Sequence, residues 1–257
     1  MGISQNTIIV VPCFNEAARL NVTAFEDALQ QDPALRFIFV DDGSTDDTQA
    51  VLARMSERNG RAHYRILPRN AGKAEAVRHG ILEALALEPE LVGYWDADLA
   101  TPLRDISAFA SVFDDPNIIL VLGSRVRLLG RHIDRTPLRH YLGRIFASAA
   151  SNVLGLPIYD TQCGAKLFRN VPWLRSIFER PFELNWCFDV ELIARLRGLE
   201  AKGLCSLRDQ CVEYALESWT DAPGSKLNLR QVPRVLGEIA RLGLIVRAER
   251  LRARTGS

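Results

Sequence analysis

The stretch Phe37-Ile38-Phe39-Val40-Asp41-Asp42-Gly43-Ser44-Thr45-Asp46 carries an apolar strand, an acidic turn and the start of a helix within ten residues. The run Phe37–Val40 is too short for a helix and stops at turn chemistry, as a buried strand does. Gly43 supplies the turn. Ser44 or Thr45, ahead of Asp46 and Asp47, suits the first turn of a helix over about Thr45–Arg58. The same alternation recurs on either side. Apolar runs at Thr7–Pro12, Tyr64–Leu67, Leu91–Trp95 and Ile118–Leu122 are separated by amphipathic stretches near Glu16–Gln31, Ala74–Leu87 and Leu103–Phe113. This is the pattern of βαβ units, and it predicts an α/β fold with a mainly parallel central sheet flanked by helices. In such sheets ligands bind beyond the carboxyl ends of the strands, where Asp41, Asp42, Asp96 and Asp98 fall.

The second half is patterned differently. A long helix is expected over about Leu138–Leu154, then loop and strand over Asp160–Phe168, and a helix over about Phe188–Gly198. Strands are expected around Gly203–Ser206 and Gln210–Leu216. Pro223-Gly224 precedes a last amphipathic helix over about Leu229–Arg252. No repeat, low-complexity tract or linker is visible. The expectation is one domain over residues 1–228 and a basic C-terminal helix over 229–257, packed into the same unit or laid on a membrane surface.

Composition narrows the function. The 257 residues are 47% apolar and 25% charged with a formal charge of +1, which fits a folded globular chain and removes the main reason to expect nucleic-acid binding. Five cysteines without C-x-x-C spacing argue against a disulfide framework or zinc ribbon and favour a reducing cytoplasmic setting. Cys163 and Cys187 read as small core residues. No signal-peptide pattern and no apolar stretch long enough to span a bilayer are present. His63, His79, His132 and His140 are scattered without metal-ligand spacing.

The sharpest chemical signal is Trp95-Asp96-Ala97-Asp98-Leu99. Two carboxylates at i and i+2, just past an apolar strand, can both approach one hard cation, Mg2+ or Mn2+, with a diphosphate completing its shell. Such a metal assists departure of a nucleoside diphosphate. The bland alternative is a solvated loop. Haloacid-dehalogenase-type phosphatases also carry D-x-D, but on the first strand and with Thr or Val where Ala100 stands. The acidic turn at Asp41-Asp42 offers acceptors for a base N–H or ribose hydroxyls. Its bland reading is a helix cap.

Taken in order, Val11-Pro12-Cys13-Phe14-Asn15-Glu16, Val40–Asp46, Asn70-Ala71-Gly72-Lys73 and Asp96–Asp98 resemble the signatures of family 2 glycosyltransferases with a GT-A (Rossmann-like) fold. Gly123-Ser124-Arg125, Asp160–Phe168 (D-T-Q-C-G-A-K-L-F), Trp186–Leu192 and Trp219 with Gly224–Leu227 are similar to dolichyl-phosphate β-glucosyltransferases, so that the resemblance spans about residues 7–228. It implies inverting transfer of a sugar, glucose foremost, from a UDP-sugar to a polyprenyl phosphate. Pro12, Phe14, Glu16, Asp42, Lys73 and Asp96 would line the donor pocket, and Asp96 and Asp98 would hold Mg2+ or Mn2+. The eukaryotic glucosyltransferases differ in having Phe at Ala165, Arg at Asn185 and an N-terminal membrane anchor. A small soluble acceptor, or a nucleotide-sugar-binding module without turnover, are the competing readings.

A lipid phosphate is anionic already, so it needs no strong base; it needs positive charge and alignment. Arg125, Arg135 and Arg139 are the acceptor-phosphate candidates, because a guanidinium fork matches phosphate. Lys166 and Lys226 are further candidates, although each alone reads as a solvated lysine. Asp160 can orient the acceptor or steady positive charge on the sugar, and with Arg125 and Asp98 it completes the catalytic set. Asp189 and Glu191 lie two apart on a helix and cannot share a face, so that at most one of them meets sugar hydroxyls. From Lys226 onward eight basic side chains stand against two acidic ones, among Val232, Val235, Leu236, Ile239, Leu242 and Val246 at helical spacing. This reads either as an interfacial helix on anionic lipid at the cytoplasmic membrane face or as a helix packed on its own domain.

Overall fold

The computed structural model describes residues 3–134, 137–220 and 232–255. Its elements run β1 (Thr7–Cys13), α1 (Val22–Gln31), β2 (Leu35–Asp41), α2 (Thr48–Arg58), β3 (Ala62–Ile66), α3 (Lys73–Leu85), β4 (Leu91–Trp95), α4 (Asp105–Val112) and β5 (Leu120–Ser124). They continue with β6 (His132–Asp134), α5 (Pro137–Leu154), β7 (Ala165–Arg169), α6 (Leu174–Glu179), α7 (Phe188–Ala201), α8 (Leu207–Gln210), β8 (Cys211–Ala215), β9 (Ser218–Thr220) and α9 (Val232–Thr255). The central sheet has seven strands in the order β3-β2-β1-β4-β7-β5-β8. β1 pairs in parallel with β2 and β4, and β2 with β3, whereas β7 enters antiparallel against β4. The expected α/β architecture is present.

The chain divides into two compact units, Met1–Val121 with Gly164–Pro181 and Leu122–Cys163 with Phe182–Ser257. The sequence shows no such division, because both units are built from separated segments and no linker joins them.

In the first unit β1 and β2 are buried nearly throughout, as central parallel strands require. Phe25 of α1 meets Phe37 and Phe39 edge-on at 5.1 and 5.0 Å. The register pairs Cys13 with Asp41, which sets the carboxyl ends of β1 and β2 level.

Two helix starts differ from expectation. α1 begins at Val22, not Glu16. Before it the N–H groups of Arg19 and Leu20 donate to the Glu16 carbonyl at 3.0 and 2.8 Å in a separate turn, and Asn21 Oδ1 then caps Ala24 at 3.1 Å. α2 begins at Thr48, because Ser44 is engaged with Asp41 and Asn15 and Asp46 accepts from Thr48 itself. Ser44 Oγ donates to Asp41 and accepts from Asn15 N–H at 2.8 Å, while Asp46 accepts from Thr48 N–H at 3.0 Å and Ala17 N–H at 3.2 Å. Ser44 thus ties two loops together, while Asp46 joins the Ala17 loop to the first N–H of α2. Gly43 takes the expected turn, with φ +68°.

In the second unit α9 packs along α7, burying Leu242, Ile245 and Val246. Its Glu238 accepts from the N–H groups of Trp186 and Cys187 at 3.0 and 2.9 Å, immediately before α7 begins. The described residues of the tail's apolar stripe therefore cover its own unit, while Leu244 and Leu251 on the same helix are exposed. The side chains of Val232, Val235, Leu236 and Ile239 lie outside the described residues. The expected strand at Gly203–Ser206 is instead the turn ending α7, where Gly203 N–H donates to Glu200 O at 2.9 Å, followed by α8.

All five cysteines are free, with Cys13, Cys163 and Cys187 buried. Burial pushes the Cys13 and Cys187 thiols far above their usual range, Cys205 up to about 11 and Cys211 to about 12. The folded protein is expected to react slowly with Ellman's reagent at mildly alkaline pH and to titrate fully only in denaturant. Immediate reaction of most thiols would contradict this burial.

Candidate active site

At the carboxyl ends of β1, β2 and β4 the first unit gathers Glu16, Arg19, Asp41, Asp42, Lys73, Asp96 and Asp98. The loop after β4 is held at several points. Asp96 N–H donates to Gly164 O at 3.0 Å, Ala100 N–H to Asp98 Oδ1 at 3.1 Å, and the Trp95 indole N–H to Thr101 O at 2.8 Å. Leu99 sits at φ +53°, a conformation that costs a leucine energy and persists where surrounding contacts impose it. The strain lies one residue past the acidic pair.

Asp96 forms an ion pair with Lys73, the first residue of α3. Its carboxylate lies against Gly164: a Cβ there would stand 1.9 Å from Asp96 Oδ2. The Asp98 side chain reaches the surface, yet protein crowds its carboxyl and pushes the pKa up, with the negative charge of Asp96 adding to the effect. Two hard-oxygen groups that repel one another are what a divalent cation would reconcile. The donor set therefore fits Mg2+ or Mn2+. Among the described residues no three His, Cys, Asp or Glu side chains converge on a point.

Asp42 is buried, and its oxygens accept from Ala71 N–H and Gly72 N–H, both at 2.8 Å, which fixes the loop leading into α3. Burial raises its pKa. It thus steadies the start of α3 and does not cap α2. Glu16 is buried and held by both forks of Arg19, while its N–H donates to Thr48 Oγ1 at 2.8 Å. Phe14 is exposed just past β1, and Pro12 is partly covered. Sequence reasoning missed Arg19, whose pKa is raised chiefly by Glu16 and also by the charge of Asp98. Its spacing of three from Glu16 was the available signal.

In the second unit Arg125 and Asp160 form one fork-to-fork pair, with Nε to Oδ2 at 2.6 Å and Nη2 to Oδ1 at 2.9 Å; Arg125 N–H also donates to Oδ2 at 3.1 Å. The guanidinium lies 5.3 Å from the Trp219 ring. Glu213, another residue missed, accepts from the N–H groups of Tyr159 and Asp160 and so holds the loop. Arg135 and Lys226 lie outside the described residues, as does the side chain of Arg139.

Lys166 is not a solvated lysine. It lies on β7 in the first unit, 0% exposed, with Nζ 5.2 Å from the centre of the Tyr94 ring. Glu191 is structural: buried, it accepts from Glu183 and Leu184 N–H at 2.9 Å and pairs with Arg195 at 2.7 Å. Burial raises its pKa. Asp189 is buried as well.

The family model for Glycosyl transferase family 2 matches residues 8–173. The dolichyl-phosphate beta-glucosyltransferase of Homo sapiens is 32% identical over 235 residues, covering 85% of this chain and 68% of that protein. Dolichyl-phosphate beta-glucosyltransferase ALG5C of Trichomonas vaginalis is 29% identical over 257 residues, covering 94% and 72%. Glucosyl-3-phosphoglycerate synthase from Mycobacterium tuberculosis, solved with UDP, superposes with a TM-score of 0.64 at 18% identity, over 95% of this chain and 80% of that one. The same synthase with Mn2+, UDP-glucose and phosphoglyceric acid gives 0.61 at 18% identity, over 93% and 80%. These structures share the GT-A fold. With its level strand ends, acidic pair and matching sequence, the chain belongs to glycosyltransferase family 2 and is an enzyme of the hexosyltransferase class.

Proposed function

We propose that the protein transfers glucose from UDP-glucose to the phosphate of a dolichyl-type polyprenyl lipid, at the cytoplasmic face of a membrane, with inversion at the anomeric carbon. The observation that carries this reading is the repelling pair Asp96 and Asp98, with Lys73 against Asp96, at the strand ends of a chain whose curated relatives are named for that transfer.

A phosphate oxygen of the lipid forms a bond to the anomeric carbon while the bond from that carbon to the UDP oxygen breaks, and UDP departs with the electron pair. No proton needs to move, since the attacking phosphate is already ionised. Mg2+ or Mn2+, held by Asp96, Asp98 and diphosphate oxygens, would neutralise charge growing on the leaving group. Lys73 adds a second cation beside the diphosphate. Phe14 offers an exposed ring for the uracil, and Glu16 and Asp42 shape the nucleoside pocket through Arg19 and the Ala71-Gly72 amides. Arg125, oriented by Asp160, serves the acceptor phosphate along with Arg135 and Arg139. Lys166, being buried, is set aside as a direct contact for the acceptor phosphate.

The test is a panel of UDP- and GDP-sugars with a short polyprenyl phosphate and either metal, following lipid-linked product. UDP-glucose should give the product. Transfer only to water-soluble acceptors, or none with any donor, would overturn the reading.

Gly164→Ala checks the donor side separately. The added methyl must displace the Asp96 carboxylate from its place beside Lys73. Affinity for UDP with Mn2+ should fall about tenfold, roughly 1.4 kcal/mol, in calorimetric titration of a still-folded protein.

A further inference from the structure

We infer that the turn between β5 and β6 is the element with which this protein enters an anionic bilayer; the inference rests on the lipid acceptor proposed above. After β5 the backbone places Arg127, Leu128, Leu129 and Gly130 at the surface. Arg131 N–H donates to Leu128 O at 3.1 Å, and Gly130 has φ +80°. A positive φ at the third position marks a type II turn, which puts Leu129 at its tip. Leu129 is 104% exposed, as bare as in a free peptide, and Leu128 is 51% exposed.

Turn tips ordinarily carry Gly, Asn, Asp or Ser, and two adjacent leucines there oppose that preference. Nor is the tip a loose strand of chain. Arg131 pairs with Glu217 at 3.0 Å, His132 N–H donates to Glu217 O at 2.8 Å, and β6 pairs in parallel with β9, burying Ile133 and Trp219. The fold thus holds the two leucines outward on a tied base.

The charge around them selects the occupant. From Arg125 to Arg139 the sequence has five arginines and one acid, Asp134. In α5, Tyr141 and Ile145, each 68% exposed, follow at a spacing of four and share a helix face. A convex apolar tip needs a surface that deforms around it. Arg125 and Arg131 already face Asp160 and Glu217, yet the sequence around the tip keeps a net positive charge, which suits a bilayer with acidic headgroups. The tail helix buries Leu242, Ile245 and Val246 along α7 and leaves Leu244 and Leu251 exposed, at 69% and 53%. Among the described residues no helix is long and apolar enough to cross a membrane.

The full-length protein should co-float with phosphatidylcholine vesicles containing phosphatidylglycerol, in the absence of any polyprenyl phosphate. The double variant Leu128→Ser/Leu129→Ser should lose about 30-fold in partition coefficient, roughly 2 kcal/mol. Arg127→Gln should lose about fivefold on the anionic vesicles and nothing on pure phosphatidylcholine. Circular dichroism and UDP-glucose binding should be unchanged in both. In Leu129→Trp, fluorescence quenching by brominated lipid should exceed that of the unaltered protein. Equal flotation of the double variant, or no added quenching at Trp, overturns the inference. Glucosyl transfer to acceptor dispersed in detergent is read independently. If it proceeds while flotation ignores the leucines, the docking turn falls and the proposed activity stands; if no lipid phosphate is ever glucosylated, the activity falls by itself.

Discussion

Replacing Asp98 by Asn is expected to lower sugar transfer about a thousandfold, roughly 4 kcal/mol of transition-state stabilisation, while the fold remains at least as stable. Under the proposed function the loss arises because one of the two carboxylates that would hold the metal becomes a neutral amide. The stability follows from the sign of the pKa shift. The Asp98 pKa is raised in the folded protein, so the folded state holds that proton more tightly than the unfolded chain. Below the unfolded value the group contributes no penalty. As the pH rises through the raised value the ionised carboxylate, crowded and facing Asp96, becomes a net cost to the fold. A neutral Asn removes that cost, and its side-chain oxygen can still accept from Ala100 N–H. Steady-state rates with lipid-linked product, and thermal unfolding at neutral pH, decide the matter. Activity within tenfold of the unaltered enzyme would remove Asp98 from the metal site.

Asp160→Ala should act in the opposite manner, costing about 3 kcal/mol of stability in urea unfolding as well as activity. Both side chains of the Arg125–Asp160 pair are largely covered, and Asp160 also accepts from the N–H groups of Arg125 and Gln162. Removing it takes the carboxylate from the guanidinium, which lies 5.3 Å from the Trp219 ring. The double substitution Arg125→Met/Asp160→Leu should recover part of the stability, since it leaves no unpaired charge, although the N–H groups of Arg125 and Gln162 lose their acceptor. It should recover none of the transfer. Recovery of both would reduce the pair to a structural tie, and full activity of the double variant would move the acceptor phosphate elsewhere.

The parallel part of the sheet was legible because Thr7–Pro12, Phe37–Val40 and Leu91–Trp95 are short apolar runs stopped by turn residues. The acidic pair was legible because it follows such a run directly. β7 was harder, since Ala165–Arg169 reads the same whether parallel or antiparallel, and Lys166 within it looks like a surface charge. Its aliphatic stem and the facing Tyr94 ring make burial tolerable, and no local pattern encodes that contact. Arg125 and Asp160 were each found, but their union was not, because it joins positions 35 residues apart. The tail helix was ambiguous because apolar periodicity does not say which surface it covers. Glu238 and Glu249, both buried, fall on the same stripe as Leu242 and Ile245. Of these, Glu238 accepts from the Trp186 and Cys187 amides and Glu249 pairs with Arg252.

The interleaving of the two units carries a consequence for how such a protein can be dissected or diversified. The chain passes between them after Val121, after Cys163 and after Pro181. A single protease nick or gene truncation therefore cannot liberate either half whole: a fragment ending at Cys163 lacks β7, the antiparallel neighbour of β4, and one beginning at Phe182 lacks the Asp160 partner along with Arg125 itself. Neither half can be exchanged between proteins as a contiguous cassette, and variation in donor or acceptor preference must enter by substitutions within one inseparable weave.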